Sequence, residues 1–305
     1  MGCPSSPLHN ADRLVELIST ATQESASEIR RRLQSEYTEL GSSVRQALQQ
    51  KGISPYEWSE AMELFYEQTD AFLYETIVWN LTHAKCEMRV WIGDYLTQRT
   101  PGQSVLTFGD GLGFDSMYLA DQGHDVTYYE VSQPCSKFAE AIFSDAKLAV
   151  NIVTDPTKLS TLKFDTIVCL DVLEHVPDPG SLVEWLQTLL KPEGRLIVSA
   201  PFFLVNETVQ THLSSNRQYS GDYQQLYRSR GLNPVAGRLF HNPLVLQQEA
   251  EMPVPFQVRL GSLLLKVGRW WSFPFDVSNS AILRSKFPLQ FAESETSTTA
   301  DQTSK

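Results

Sequence analysis

The sequence predicts an α/β protein: a mostly parallel sheet with helices on both faces, preceded by a helical N-terminal cap. Three observations carry that prediction. Residues 1 to about 99 place apolar residues at three-to-four spacing, with no strand-like runs. From about Pro101 onward, short β-branched runs alternate with helical stretches. The first of those runs ends in three glycines at alternate positions, Gly109, Gly111 and Gly113.

The elements follow in order. "ADRLVELISTA", "SEIRRRLQSEYTEL" and "VRQALQQKG" read as helices punctuated by Gly41 and Gly52. The stretch from Ser54 to Leu96 holds at least two more, one of them capped by Ser59 or Ser54. The strand "SVLTF" is followed by helix "DSMYLADQG", and "DVTYYEV" by helix "PCSKFAEAIFSDA". Then come strands "AVNIVTD" and "FDTIVCL", helix "PGSLVEWLQTLLKPEG" and strand "RLIVSAP". Strands alternating with helices imply right-handed crossovers and a parallel sheet covered on both sides. "SGDYQQLYRSRG" reads as a further helix with Ser220 as its cap and Gly231 as its stop, and "LNPVAGRLF" and "NPLVLQQEA" as two terminal strands. The expected organisation is a helical cap over 1–99, a ligand-binding core over 100–250, an extension packed on the core over 251–292 and a disordered tail over 293–305.

Composition narrows the class. The chain has 305 residues, 42% hydrophobic and 20% charged, with a formal net charge of -11. An acidic surface without a Lys/Arg run argues against a nucleic-acid partner. Cys3, Cys86, Cys135 and Cys169 lack metal-site spacing, and no other metal-ligand cluster is visible, so a metal-free mechanism and a reducing, cytoplasmic setting are expected. No secretory leader or membrane span is read. "MGCPSS" matches the loose myristoylation pattern. The bulky stretch "LGSLLLKVGRWWSFPF" is expected to bury a helix on the core; Trp270 and Trp271 keep an interfacial role between 260 and 275 open.

The chemistry sits after the sheet strands. Glycine at positive φ lets a ligand approach the backbone, and the helix start that follows aims free N–H groups at it. Glu130, at the end of the second strand, is placed to accept both hydroxyls of a ribose. Asp155, ending the third, is placed near an adenine amino group. "FDTIVCLDVLEHVPDP" puts Asp171, Leu173, Glu174 and His175 at the mouth of the crevice.

Residues 104–201 resemble the small-molecule branch of the class I S-adenosylmethionine-dependent methyltransferases. "FGDGLG", Glu130, "LDVLEHVPDP" and "LVEWLQTLLKPEGRLIVSAP" carry the resemblance. It implies a Rossmann-like core, S-adenosylmethionine as cofactor and a small-molecule methyl acceptor. It also implies a cofactor site built from Thr107, Phe108, Gly109, Asp110, Gly111, Gly113, Glu130, Asp155, Asp171 and Leu173. Thr107 stands where that family has an acid, and Asp110 or Asp115 is the expected compensation. His175 is the candidate general base, because histidine titrates near neutrality. His212 and Tyr219 are candidates for the acceptor pocket, as is the aromatic segment Phe65, Tyr66, Phe72, Tyr74 and Trp79. Two other readings stay open. "GLGFDS" nearly satisfies a nicotinamide fingerprint, and Thr107 leaves room for a non-catalytic adenosyl-binding protein.

Overall fold

A computed structural model describes residues 6–99, 102–248 and 252–268. The myristoylation pattern at Gly2 and Cys3, the Trp270–Trp271 pair and the tail from 293 lie outside the described residues.

Six helices come first: α1 (Ala11–Thr22), α2 (Ala26–Thr38), α3 (Ser42–Lys51), α4 (Glu60–Gln68), α5 (Ala71–Asn80) and α6 (His83–Thr97). Their starts follow from side-chain caps. Asn10, Ser25, Ser59 and Thr82 each accept a backbone N–H three residues on. Of the two serines considered for α4, Ser59 is the cap.

The sheet that follows runs β1 (Ser104–Phe108), β2 (Asp125–Tyr129), β3 (Val150–Val153), β4 (Phe164–Leu170), β5 (Leu190–Ser199), β6 (Leu232–Gly237) and β7 (Leu244–Gln248). Its spatial order is β3-β2-β1-β4-β5-β7-β6. The first five strands are parallel, and β7 enters antiparallel between β5 and β6. Between them lie α7 (Phe114–Asp121), α8 (Gln133–Ala146), α9 (Pro156–Leu159), α10 (Pro179–Thr188) and α11 (Tyr223–Leu226), with α12 (Phe256–Gly268) at the end.

Alternation along the strands sorts the core into two faces. Val105, Val126, Tyr128 and Val168 pack with Leu14, Ile18, Ile77, Phe114 and Phe138. Leu106, Ile167, Cys169 and Leu196 pack with Val183, Leu186, Leu226 and Val258 on the other side. Helices therefore cover both faces, as a buried parallel sheet requires.

Two helices are shorter than the sequence pattern predicts. α10 ends at Thr188 because β5 already begins at Leu190; Pro192 cannot continue a helix, and Glu193 turns into positive φ (61°). α11 is one turn capped by Asp222, not Ser220, whose buried hydroxyl donates instead to the Leu265 carbonyl (3.3 Å).

Backbone contacts stitch the helical segment to the long connection after β5. Tyr56 N–H donates to the Gln210 carbonyl (2.8 Å), and Ser214 N–H donates to the Tyr56 carbonyl (2.9 Å). The Arg45 guanidinium donates to the Glu207 carbonyl at 3.1 Å. Gly41, at φ 84°, abuts Thr208 so closely that a Cβ would sit 2.1 Å from its carbonyl oxygen. The last helix, α12, buries Val258, Gly261, Ser262 and Leu265 and leaves Phe256, Leu263 and Val267 exposed. Among the described residues, no helix is long and apolar enough to cross a membrane.

Candidate active site

β1 and β4 are neighbours whose crossovers leave the sheet in opposite directions, which opens a crevice beyond their carboxyl ends. A cavity of about 470 Å³ occupies it, within the range of ligand sites. One end is the glycine turn, and the other lies under α4, α5 and the connection after β5.

The three glycines serve three purposes. At Gly109 a Cβ would meet Val172 at 2.5 Å, so this residue lets the β1 and β4 ends approach. At Gly111, φ is 60° and a Cβ would point into the cavity, with only Thr76 near it at 3.6 Å. At Gly113 a Cβ would strike Phe143 (2.6 Å) and Ala139 (2.9 Å) of α8. Contrary to the expectation from sequence, Gly113 does not line the cavity; it permits α7 to pack against α8.

Glu130 faces the cavity from the end of β2. Its Oε2 accepts the Gly111 N–H (2.8 Å) and its Oε1 accepts the Ser132 N–H (2.9 Å). Burial raises its carboxyl above the ordinary range, with the backbone N–H groups opposing. Each oxygen keeps a lone pair for a ligand hydroxyl. Phe108 and Tyr129 stack beside it, ring centroids 4.9 Å apart.

Two predicted site residues lie elsewhere. Asp155 is exposed, and its Oδ1 accepts the N–H (2.9 Å) and hydroxyl (2.7 Å) of Thr157. An acid before Pro156 serves as the cap of α9, so it is not delivered to the crevice. Leu173 is fully buried in the second core face, because the turn after β4 aims Val172, Glu174 and His175 into the cavity instead.

Thr107 is buried at the foot of the glycine turn and shares a hydrogen bond with the Ser116 hydroxyl (2.6 Å). Ser116 donates onward to Asp110 through both its N–H (2.7 Å) and its hydroxyl (2.5 Å). The carboxyl group missing at Thr107 is thus present three residues later. Beyond it lies an ionic network that the sequence reading misses. Lys85 bridges Asp115 (3.3 Å) and Asp171 (3.2 Å), and Arg89 Nε donates to Asp115 at 2.7 Å. Trp79 Nε1 donates to Asp171 at 3.1 Å, and Asp171 itself holds φ 56°. Burial would raise Asp115, but Lys85 and Arg89 overcome it and hold its carboxyl below the usual range. Burial and the charge of Asp115 push Asp110 up. The overlooked signal is that Lys85 and Arg89 stand at i, i+4 on the α6 face that buries Met88, Ile92 and Leu96.

The far end carries Tyr66, Glu174, His175 and His212. His175 Nδ1 lies 2.8 Å from the Tyr66 hydroxyl and 3.2 Å from the Thr211 carbonyl. A carbonyl only accepts, so Nδ1 carries the proton and Nε2 presents a lone pair. The same logic holds for His212, whose Nδ1 donates to the Leu204 carbonyl (2.6 Å). Burial lowers His175 to about 4, with the Thr211 carbonyl and Asp171 opposing, and burial also lowers His212. Both imidazoles are neutral at physiological pH. Glu174 is 1% exposed, and burial and Asp171 push its carboxyl up. Tyr66 stacks on Phe72 (5.1 Å) and Trp58 (6.2 Å), forming an aromatic roof. Of the aromatic segment, Tyr66, Phe72 and Trp79 line the cavity, whereas Phe65 and Tyr74 are core. Tyr219 lines a separate small pocket beside Phe202.

Residues 81–235, just over half of the chain, match a family model described as a methyltransferase domain. The chain belongs to the methyltransferase-domain family. The class I resemblance read from residues 104–201 agrees with that membership. The chain is 38% identical over 112 residues to a ubiquinone biosynthesis O-methyltransferase of Xylella fastidiosa (strain 9a5c), covering 35% of this chain and 46% of that one. It is 30% identical over 131 residues to the enzyme of the same name from Actinobacillus pleuropneumoniae serotype 7 (strain AP76), covering 39% and 54%. The chain thus spans about half the length of the curated relatives it matches. Among solved structures it is similar to magnesium protoporphyrin IX methyltransferase from Synechocystis PCC 6803 with bound SAM. That likeness has a TM-score of 0.43 and 19% identity and covers 59% of this chain and 85% of that one.

Proposed function

We propose that this member of the family transfers a methyl group from S-adenosylmethionine to a hydroxyl of an apolar, ring-containing small molecule. One observation carries the reading. A cradle into which a Cβ at Gly111 would project adjoins the buried carboxyl of Glu130, and the same cavity continues to a polar cluster under an aromatic roof. In this reading the segment through residue 99 roofs the acceptor and residues 100–250 form the transfer core.

Glu130 accepts the ribose hydroxyls, while Phe108 and Tyr129 flank the adenine end in place of Asp155. Around the methionine end, Asp110 and Asp171 receive the ammonium and Lys85 the carboxylate. Bound S-adenosylmethionine supplies a sulfonium methyl group for in-line displacement. The work left to the chain is alignment, exclusion of water and relief of the acceptor's proton. Tyr66, Phe72 and Trp58 stack on an acceptor ring and keep water out. The lone pair on His175 Nε2 receives the hydroxyl hydrogen, since burial keeps that imidazole neutral. The names of the relatives support oxygen as the reacting atom.

Calorimetric titration with S-adenosylmethionine, S-adenosylhomocysteine and NADH tests the reading. Binding of both sulfur ligands, lost in Gly111→Val, is expected. Tight NADH binding without sulfur-ligand binding overturns it in favour of a dehydrogenase. No adenosyl binding at millimolar concentration overturns it in favour of a vestigial site.

A further inference from the structure

At the acceptor end, Glu174 poses a physical problem. Its carboxyl group lies 1% exposed and faces the cavity, yet neither oxygen has a hydrogen-bond partner among the described residues. A buried, unpartnered carboxyl is costly, and native structures keep such groups only where something satisfies them. The neighbours able to do so are the two imidazoles. Nε2 of His175 lies 4.0 Å and Nε2 of His212 lies 3.9 Å from Glu174 Oε1. These distances are too long for hydrogen bonds. Both Nε2 atoms are also lone-pair donors, because both Nδ1 protons are committed to the backbone carbonyls of Thr211 and Leu204. Three electron-pair donors therefore converge with no hydrogen bond joining them.

That arrangement suits a cation. One donor atom from each of Glu174, His175 and His212 lies within 4.8 Å of the others. A zinc-sized ion with ligands at about 2.1 Å sets tetrahedral donors roughly 3.4 Å apart, so modest side-chain rotation closes the set. The outer contacts match as well, since histidine ligands characteristically donate their second ring N–H to a carbonyl. Two neutral imidazoles and one carboxylate favour a borderline transition metal over magnesium or calcium, which prefer oxygen.

We propose that Glu174, His175 and His212 form a binding site for one divalent transition-metal ion of the zinc class, with its open coordination position facing the acceptor end of the cavity. Its existence stands independently of the methyl-transfer reading. Its role rests on that reading: the ion binds the acceptor oxygen and lowers the pKa of its hydroxyl, which releases its proton to solvent water, so that His175 serves as a ligand instead of the proton acceptor.

Cobalt(II) titration of the chelator-treated full chain tests the site, because a bound cobalt ion absorbs visibly with an intensity that reports its coordination. One equivalent is expected to bind, to be displaced by Zn2+ and to be unaffected by excess Mg2+. Glu174→Gln and His212→Gln are expected to weaken binding at least about 100-fold, while His83→Gln, which removes the surface pair His83–Glu87, changes nothing. Glu174→Gln replaces a buried, unpartnered carboxyl by a neutral amide of the same shape and is expected to melt no earlier than the parent, so the comparison stays readable. Absence of a cobalt band, its survival in Glu174→Gln, or its loss in His83→Gln overturns the proposal. Binding of S-adenosylhomocysteine is measured in the same samples. Its presence without cobalt binding sinks the metal site alone, and cobalt binding without it sinks the methyl-transfer reading alone.

Discussion

The two ends of the cavity are built on opposite plans. At the glycine turn every charged group is answered: Glu130 by two backbone N–H groups, Asp110 by Ser116, and Asp115 and Asp171 by Lys85 and Arg89. At the acceptor end, Glu174 and the Nε2 atoms of two histidines confront one another without bonds. The first plan rigidifies a site for one fixed ligand. The second holds unspent binding capacity at the end where the methyl-transfer reading puts the acceptor. The lesson is that satisfied and unsatisfied polar groups within one cavity mark different tasks.

The largest expected effect breaks the rigid end. Gly111→Val places a β-branched side chain at φ 60° and fills the space a ligand needs. Calorimetry is expected to find S-adenosylhomocysteine binding weakened more than about 100-fold, the scale of roughly 3 kcal/mol. Next, Lys85→Met leaves Asp171 without its cation and Asp115 with Arg89 alone. Chemical denaturation is expected to show a loss of about 3–5 kcal/mol, and an unchanged midpoint would mean the network is ornamental. Third, Glu130→Ala is expected to weaken cofactor binding by about 1.5–3 kcal/mol. Equal affinity would refute its ribose role.

A smaller effect probes the roof. Glu75 lines the cavity, and burial with the nearby charge of Glu36 pushes its carboxyl well above 4.5. The fold therefore favours its protonated form. The associated stabilisation is complete below pH 4.5 and is lost as pH rises through the raised value. Glu75→Gln is expected to melt higher than the parent at pH 8 and equally at pH 4, and a gain confined to acid would reverse the sign. Smallest of all, Asp155→Ala is expected to leave cofactor affinity within about twofold, since a cap facing solvent touches no ligand.

The rigid end was also the legible one. β1 to β5, the glycine turn and Glu130 could be read because each depends on neighbours close in sequence: an apolar run, a positive φ, a strand end. Leu173 was misplaced because a turn after β4 resets which side chains face the crevice, and alternation offers no guide there. Gly113 was misassigned because helix–helix contact and ligand contact demand the same missing Cβ. The strand pattern alone makes Asp155 a ligand group, but Pro156 beside it makes it a cap. The meeting of His212 with Glu174 and His175 was invisible, since only the folded connection after β5 brings it about. Lys85 and Arg89 offered a signal, two cations on an apolar helical face, but their partners lie on other elements.

The backbone bonds from Tyr56 to Gln210 and Ser214, with Gly41 pressed on Thr208, tie the front of the chain to the loop bearing His212. Grafting a foreign N-terminal segment onto this sheet would therefore disturb that loop's conformation along with the covering it replaces. In the methyl-transfer reading, a change of acceptor covering and a change in the His212 loop are therefore coupled, and neither segment is expected to be exchanged without the other.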